Sequence, residues 1–169
     1  MRKLAELTRH HAFAPHAGPN TRLLILGSLP GKASLAAGEY YAHPRNLFWH
    51  LLGGAIGTDL AALPYPVRLA TLEAAGIGLW DTIASARRAG SLDAAIREEE
   101  AAPLHDLVAR LPLLRAVGFN GRKAAAIGRR QLGGTDLSLL DLPSSSPAYA
   151  ALPLADKERL WARLADFLA

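Results

Sequence analysis

The chain has 169 residues, half of them hydrophobic and a fifth charged, with a net charge of +4 and no cysteine. That is the composition of one globular domain, and it excludes disorder, disulfides, a thiol nucleophile and an iron–sulfur cluster held by cysteines. No apolar stretch is long enough to span a bilayer and Met1-Arg2-Lys3-Leu4-Ala5-Glu6 is too polar for a signal peptide, so a cytoplasmic protein away from membranes is expected.

In chain order, residues 22–27 are a continuous apolar run bounded by glycine, the pattern of a strand covered on both faces. A Gly/Pro turn follows at Gly27-Ser28-Leu29-Pro30-Gly31. Residues 45–56 place Leu47, Phe48, Leu51, Leu52 and Ala55 at helical spacing, with Pro44 suited to the first turn. A short helix over 67–75 ends at Gly76, and 77–80 reads as a second strand. Residues 91–101 and 106–111 read as helical until Pro112 forces a break. A third strand is expected over 115–119, then Asn120-Gly121 as turn and N-cap, then a helix over 122–132 stopped by Gly133-Gly134. Residues 137–140 are a fourth strand leading into a Pro/Ser loop, and the last helix carries Leu160, Trp161, Leu164, Phe167 and Leu168 on one face. Such alternation predicts an α/β fold with a central parallel sheet and helices on both faces.

Two loops carry the chemistry. The first runs from Gly27 through Tyr40-Tyr41-Ala42-His43-Pro44-Arg45-Asn46-Leu47-Phe48-Trp49. It lies at the carboxyl end of a strand, where open α/β sheets hold ligands. Small residues at 27–31 either make only a tight turn or let a nucleotide approach the backbone. Asn46 has both donor and acceptor, suited to a base edge or a water. Phe48 and Trp49 read as core residues, Trp49 foremost; alternatively Tyr40 or Phe48 stacks on a base, a contact worth about 1–3 kcal/mol. His43 is a capping residue, a pocket wall or a donor. The second loop, Leu142-Pro143-Ser144-Ser145-Ser146-Pro147-Ala148-Tyr149, is either an ordinary turn or a grip on DNA. In the latter case its hydroxyls hold phosphates, and Pro147, Ala148 or Tyr149 wedges into the duplex.

Asn120-Gly121-Arg122-Lys123 caps a helix or adds a phosphate site at its N-terminus. The net positive charge permits a DNA partner and is equally a generic arginine-rich surface. The six histidines lack metal spacing, so no metal is expected, and His10 and His11 fall in an arm expected to be mobile. Glu39 and Asp81 are the candidate carboxylates, and nothing in the sequence places them together.

The order GSxPG, YYxHPxNxFW, GIGLWD, GFNGxxA, LPSSSPA resembles the uracil-DNA glycosylase superfamily, and within it the hypoxanthine-DNA glycosylase branch. The resemblance covers most of the chain, and its long central motif is the specific one. It implies a four-stranded parallel sheet flanked by helices in a three-layer arrangement. It also implies hydrolysis of the N-glycosidic bond of a deaminated base in DNA, with hypoxanthine leading and uracil or xanthine behind. No cofactor is implied, and the missing cysteines separate the chain from the branches that hold a four-cysteine cluster. Asn46 matches the asparagine that this branch uses for catalysis. Leu29 stands where mismatch-specific relatives carry a water-positioning asparagine, and Leu142 where typical uracil glycosylases carry a histidine.

On this reading Asn46 orients water or the base, and backbone N–H groups near Ser28 stabilise charge on the leaving base. A donor at Ser28, Leu29 or His43 accepts the 6-carbonyl of hypoxanthine and rejects adenine. The enzyme is expected to be monofunctional, monomeric and active at the nucleoid; Lys32 is the one motif lysine able to form a Schiff base. Two alternatives stay open: a damage binder without catalysis, and a small nucleoside or phosphoester hydrolase using Ser28, which lacks a GxSxG elbow.

Overall fold

The computed structural model describes residues 8–169, so the polar N-terminal stretch discussed above lies outside the described residues. The strands are β1 (Arg9–His11), β2 (Leu23–Gly27), β3 (Ile77–Asp81), β4 (Ile83–Arg87), β5 (Arg97–Ala101), β6 (Ala116–Asn120) and β7 (Ser138–Leu142). The helices are α1 (Lys32–Ala37), α2 (Phe48–Ile56), α3 (Tyr65–Ala75), α4 (Leu104–Val108), α5 (Arg122–Leu132) and α6 (Leu154–Ala162). Four parallel strands in the order β3-β2-β6-β7 make the central sheet.

Side chains alternate across a strand, which is why β2 is apolar throughout. Leu23 and Ile25 pack with Phe48, Leu52, Leu72, Trp161 and Leu164 on one face. Leu24 and Leu26 pack with Leu104, Leu107, Phe119 and Ala124 on the other. The three-layer α/β/α arrangement expected from the sequence is therefore present. Parallel registry brings Gly27 opposite Asp81 and Asn120 opposite Leu142, so the strand ends form one rim.

Three expectations are corrected. Residues 91–101 are not helical: a 3-10 turn at Asp93–Ala95 leads into β5, which pairs antiparallel with β4. The Glu-rich run favours a helix by local propensity, yet pairing to β4 prevails; Arg87 reaches Glu98 at 2.7 Å and Lys123 reaches Glu99 at 3.0 Å. As an exposed, charged edge strand it is protected from further pairing. His10 and His11 are not in a loose arm but in β1, which pairs with β4 and completes a second, three-stranded sheet. The helix expected over 45–56 begins at Phe48, because the Asn46 side-chain oxygen accepts the Phe48 N–H at 3.0 Å and holds the preceding residues out of the helix.

Candidate active site

A cleft of about 1290 Å³ opens over the carboxyl ends of the parallel strands. Its floor comes from the strand ends themselves. Gly27 ends β2, Asp81 ends β3 and Asn120 ends β6, and all three line the cleft. Gly27 must lack a side chain here: a Cβ would lie 2.7 Å from Asp81 Oδ1 and 2.8 Å from the Tyr41 hydroxyl.

One wall is the loop before α2. Tyr40, His43 and Asn46 line the cleft as expected. Tyr40 is almost fully buried, its hydroxyl donating to Ala14 O at 3.1 Å and its ring meeting Phe13 edge-on. Burial, then the nearby Asp81 charge, pushes its phenol well above the usual range. The His43 Nδ1 accepts the Arg45 N–H at 3.1 Å. Asn46 is half-buried, and its oxygen, already taking the Phe48 N–H, keeps a second lone pair while its NH₂ stays a donor.

Phe48 corrects the expectation of a base-stacking ring. It is wholly buried, does not line the cleft, and stacks instead on Tyr41 at 3.8 Å between ring centres. Tyr41 is the ring the sequence reading missed. Its backbone is left-handed, at φ 53°, a conformation rare for an aromatic residue. Its hydroxyl reaches the floor buried and without a hydrogen-bond partner among the described residues; Asn120 lies beside it without a bond of acceptable geometry. Burial, then Asp81, raises this phenol too. The doubled tyrosine was the available signal, but only the turn at residue 41 brings the second ring to the cleft.

The opposite wall is the serine-rich loop, with Ser144, Ser145, Ser146, Pro147, Ala148 and Tyr149 all at the cleft. Asn120 does not cap α5 as expected; Gly121, at φ 96°, occupies the cap position. The Asn120 amide crosses to the loop instead, donating to Ser145 Oγ at 2.9 Å and accepting the Ser145 N–H at 2.9 Å. Gly121, Arg122 and Lys123 line the cleft beside it, with Lys123 paired to Glu99. The two walls are joined directly, because the Leu47 N–H donates to Ser145 O at 3.0 Å.

Ser28, Leu29, Pro30 and Gly31 form the third side, Lys32 lies at its edge, and Glu39 is absent from the lining. The Ser28 hydroxyl donates to Asp93 Oδ1 at 2.5 Å, so its partner is a carboxylate rather than an imidazole. Arg88, buried behind this segment, donates to Pro30 O and stands 3.9 Å from Asp93. The β4–β5 connection thus braces the glycine turn, a support with no local signal in the chain. Leu29 and Leu142 are both buried. Among the described residues no cluster of three or more potential ligands could hold a metal ion, and no helix is long and apolar enough to cross a membrane.

A parallel sheet with a polar cleft at its strand ends is a setting for a nucleotide-sized ligand. Residues 14–165 match the model of the family described as the uracil DNA glycosylase superfamily, and the chain belongs to that superfamily. It is similar to a "Hypoxanthine DNA glycosylase" of Methanosarcina barkeri, 43% identical over 116 residues, covering 69% of this chain and 73% of that one. A "Hypoxanthine DNA glycosylase" of Methanosarcina acetivorans is 43% identical over 129 residues, covering 76% and 81%. A solution NMR structure of a candidate uracil DNA glycosylase from Methanosarcina acetivorans superposes with a TM-score of 0.81 at 37% identity, over 93% of this chain and 99% of that one.

Proposed function

We propose that this protein is a monofunctional DNA glycosylase that removes a deaminated base, hypoxanthine foremost and uracil or xanthine after it, acting as a single chain on DNA. The observation that carries this is the joining of the Asn46 wall to the serine-rich wall across one cleft, through the bond from Leu47 N–H to Ser145 O. Membership of the superfamily and the names of the Methanosarcina relatives support it.

On this reading the serine hydroxyls, with Arg122 and Lys123 at the start of α5, hold phosphates around the lesion. The tip residues Pro147, Ala148 and Tyr149 fill the space that the extruded nucleotide leaves. Asn46 orients the water that attacks C1′ of the sugar. The N-glycosidic bond breaks ahead of that attack, the base departing with its electron pair, and the proton that the water loses on bonding to C1′ passes to the departed base. Backbone N–H groups at Ser28 and Leu29 stabilise the charge developing on it. Lesions with a carbonyl leave more readily than amine-bearing bases, which suits a site with few ionisable groups.

The test is a panel of duplex oligonucleotides carrying hypoxanthine, uracil, xanthine, a thymine mismatch or no lesion, followed by alkali cleavage. Abasic sites should form fastest with hypoxanthine. The Asn46→Ala variant should lose about 100- to 10,000-fold in single-turnover rate and keep its affinity for lesion DNA. Binding without any abasic product would replace this reading with that of a damage binder, and trapping by borohydride would assign Lys32 a Schiff-base role.

A further inference from the structure

The cleft floor holds two buried polar atoms without a hydrogen-bond partner among the described residues, the Tyr41 hydroxyl and Asp81 Oδ2. Asp81 is only 3% exposed, yet it lines the cleft. Buried polar atoms in folded proteins are almost always satisfied, so an orphaned pair facing a cavity implies a ligand that completes them. The Tyr41 hydroxyl and the other Asp81 oxygen, Oδ1, border the space left open by Gly27, at 2.8 and 2.7 Å from where its Cβ would stand.

The protonation of Asp81 follows from what surrounds it. Burial is the largest influence and disfavours charge; Asp93 of the β4–β5 connection adds repulsion, and only Arg88, after β4, opposes them. The Tyr40 and Tyr41 phenols on the facing loop also feel its charge, and His43, Lys32, Arg97, Arg122, Lys123 and Asp141 line the same cleft. The carboxyl is pushed up to about 7. A neutral carboxyl differs from a carboxylate in a way that matters here. It presents an O–H donor and a C=O acceptor on adjacent atoms, whereas a carboxylate presents acceptors alone.

The bases that deamination produces share one feature, a lactam edge in which a ring N–H sits beside an exocyclic carbonyl. We propose that Asp81 reads this edge of the extruded base in its neutral form, its O–H donating to the exocyclic oxygen and its C=O accepting the ring N–H. The proton stays on Asp81 throughout, so no bond changes at this residue. An ionised Asp81 would set an acceptor against the base carbonyl, and recognition would fail. This inference rests on the reading that the protein excises deaminated bases and adds the group that recognises them.

Single-turnover excision of hypoxanthine from duplex DNA, followed from about pH 5.5 to about 9, tests it with wild type, Asp81→Asn and Asp81→Ala. Wild-type excision should fall as pH rises through 7, approaching about tenfold per unit at the alkaline end. Asp81→Asn keeps one donor and one acceptor at every pH, so its rate should stay within about tenfold of wild type and lose the alkaline decline. Asp81→Ala should lose about 30- to 100-fold at acidic pH, with melting temperature and undamaged-duplex affinity retained. An Asp81→Asn variant as impaired as Asp81→Ala, or wild-type activity that rises through pH 7, would overturn the proposal by showing that the ionised acid is required. An unimpaired Asp81→Ala would overturn it as well. Wild-type failure to release any deaminated base would refute the glycosylase reading itself, a different result from activity indifferent to Asp81.

Discussion

The two walls of the cleft are held in different ways. The Asn46 wall is anchored by aromatic packing: Tyr41 stacks on Phe48, and Phe48 meets Trp49 and Trp161 edge-on at 5.0 and 5.7 Å. The serine-rich wall is held by polar ties, with Asn120 bonded twice to Ser145, Trp161 Nε1 donating to Pro143 O at 2.9 Å and Lys157 donating to Tyr149 O. Rings fix the wall where atomic placement decides chemistry. Hydrogen bonds secure the wall that, on the proposed function, meets the phosphate backbone. Trp161 serves both, as core filling for one and donor to the other.

That contrast makes distinct demands on variants. Of three variants beyond Asn46 and Asp81, Gly27→Ala should have the largest effect. Its methyl would fall on Asp81 and Tyr41, so excision should drop about 100-fold while duplex affinity, measured by anisotropy, holds. Equal losses in binding and rate would mean that the floor and the DNA grip are not separable. Asn120→Ala strips both bonds from the fully buried Ser145 and should cost about 1–3 kcal/mol in denaturant unfolding. It should also weaken duplex binding more than it slows excision of saturated DNA. Lys157→Met keeps the buried stem but frees the Tyr149 carbonyl. It should be the mildest change, about threefold to tenfold in duplex affinity with no change in the rate of the bound complex. A slower chemical step in this variant would show that the loop tip bears on base placement as well.

Much of this was legible in the chain. Three of the four core strands declare themselves because burial on both faces favours apolar runs, as in residues 23–26, while Ser138–Leu142 at the sheet edge is partly exposed. Asn46 and the serine-rich loop could be singled out because prolines fence polar residues at strand ends. What escaped depended on contacts distant in sequence. Asn120 reads as a helix cap, since only folding brings Ser145, 25 positions away, within its reach. Residues 97–101 read as helical because nothing local reveals β4 as their partner. Tyr41, given no part in the sequence reading, lines the cleft because its own left-handed backbone carries its ring there, while Phe48 stays in the core beneath it. Asp81 was visible as a carboxylate, but its isolation from partners is a property of the assembled floor.

Gly27 faces Asp81 through the pairing of β2 with β3. Strands can slip only by whole residues, and each step inverts which side chains face up or down. Sliding by one would bring Trp80 or Thr82 to that spot, exchanging an acid for an indole or a hydroxyl. An insertion within 77–81 would displace Asp81 from the cleft floor and break the central ladder at once. The make-up of the cleft floor and the integrity of the sheet are in this place a single trait, and a shift of register cannot change one without the other.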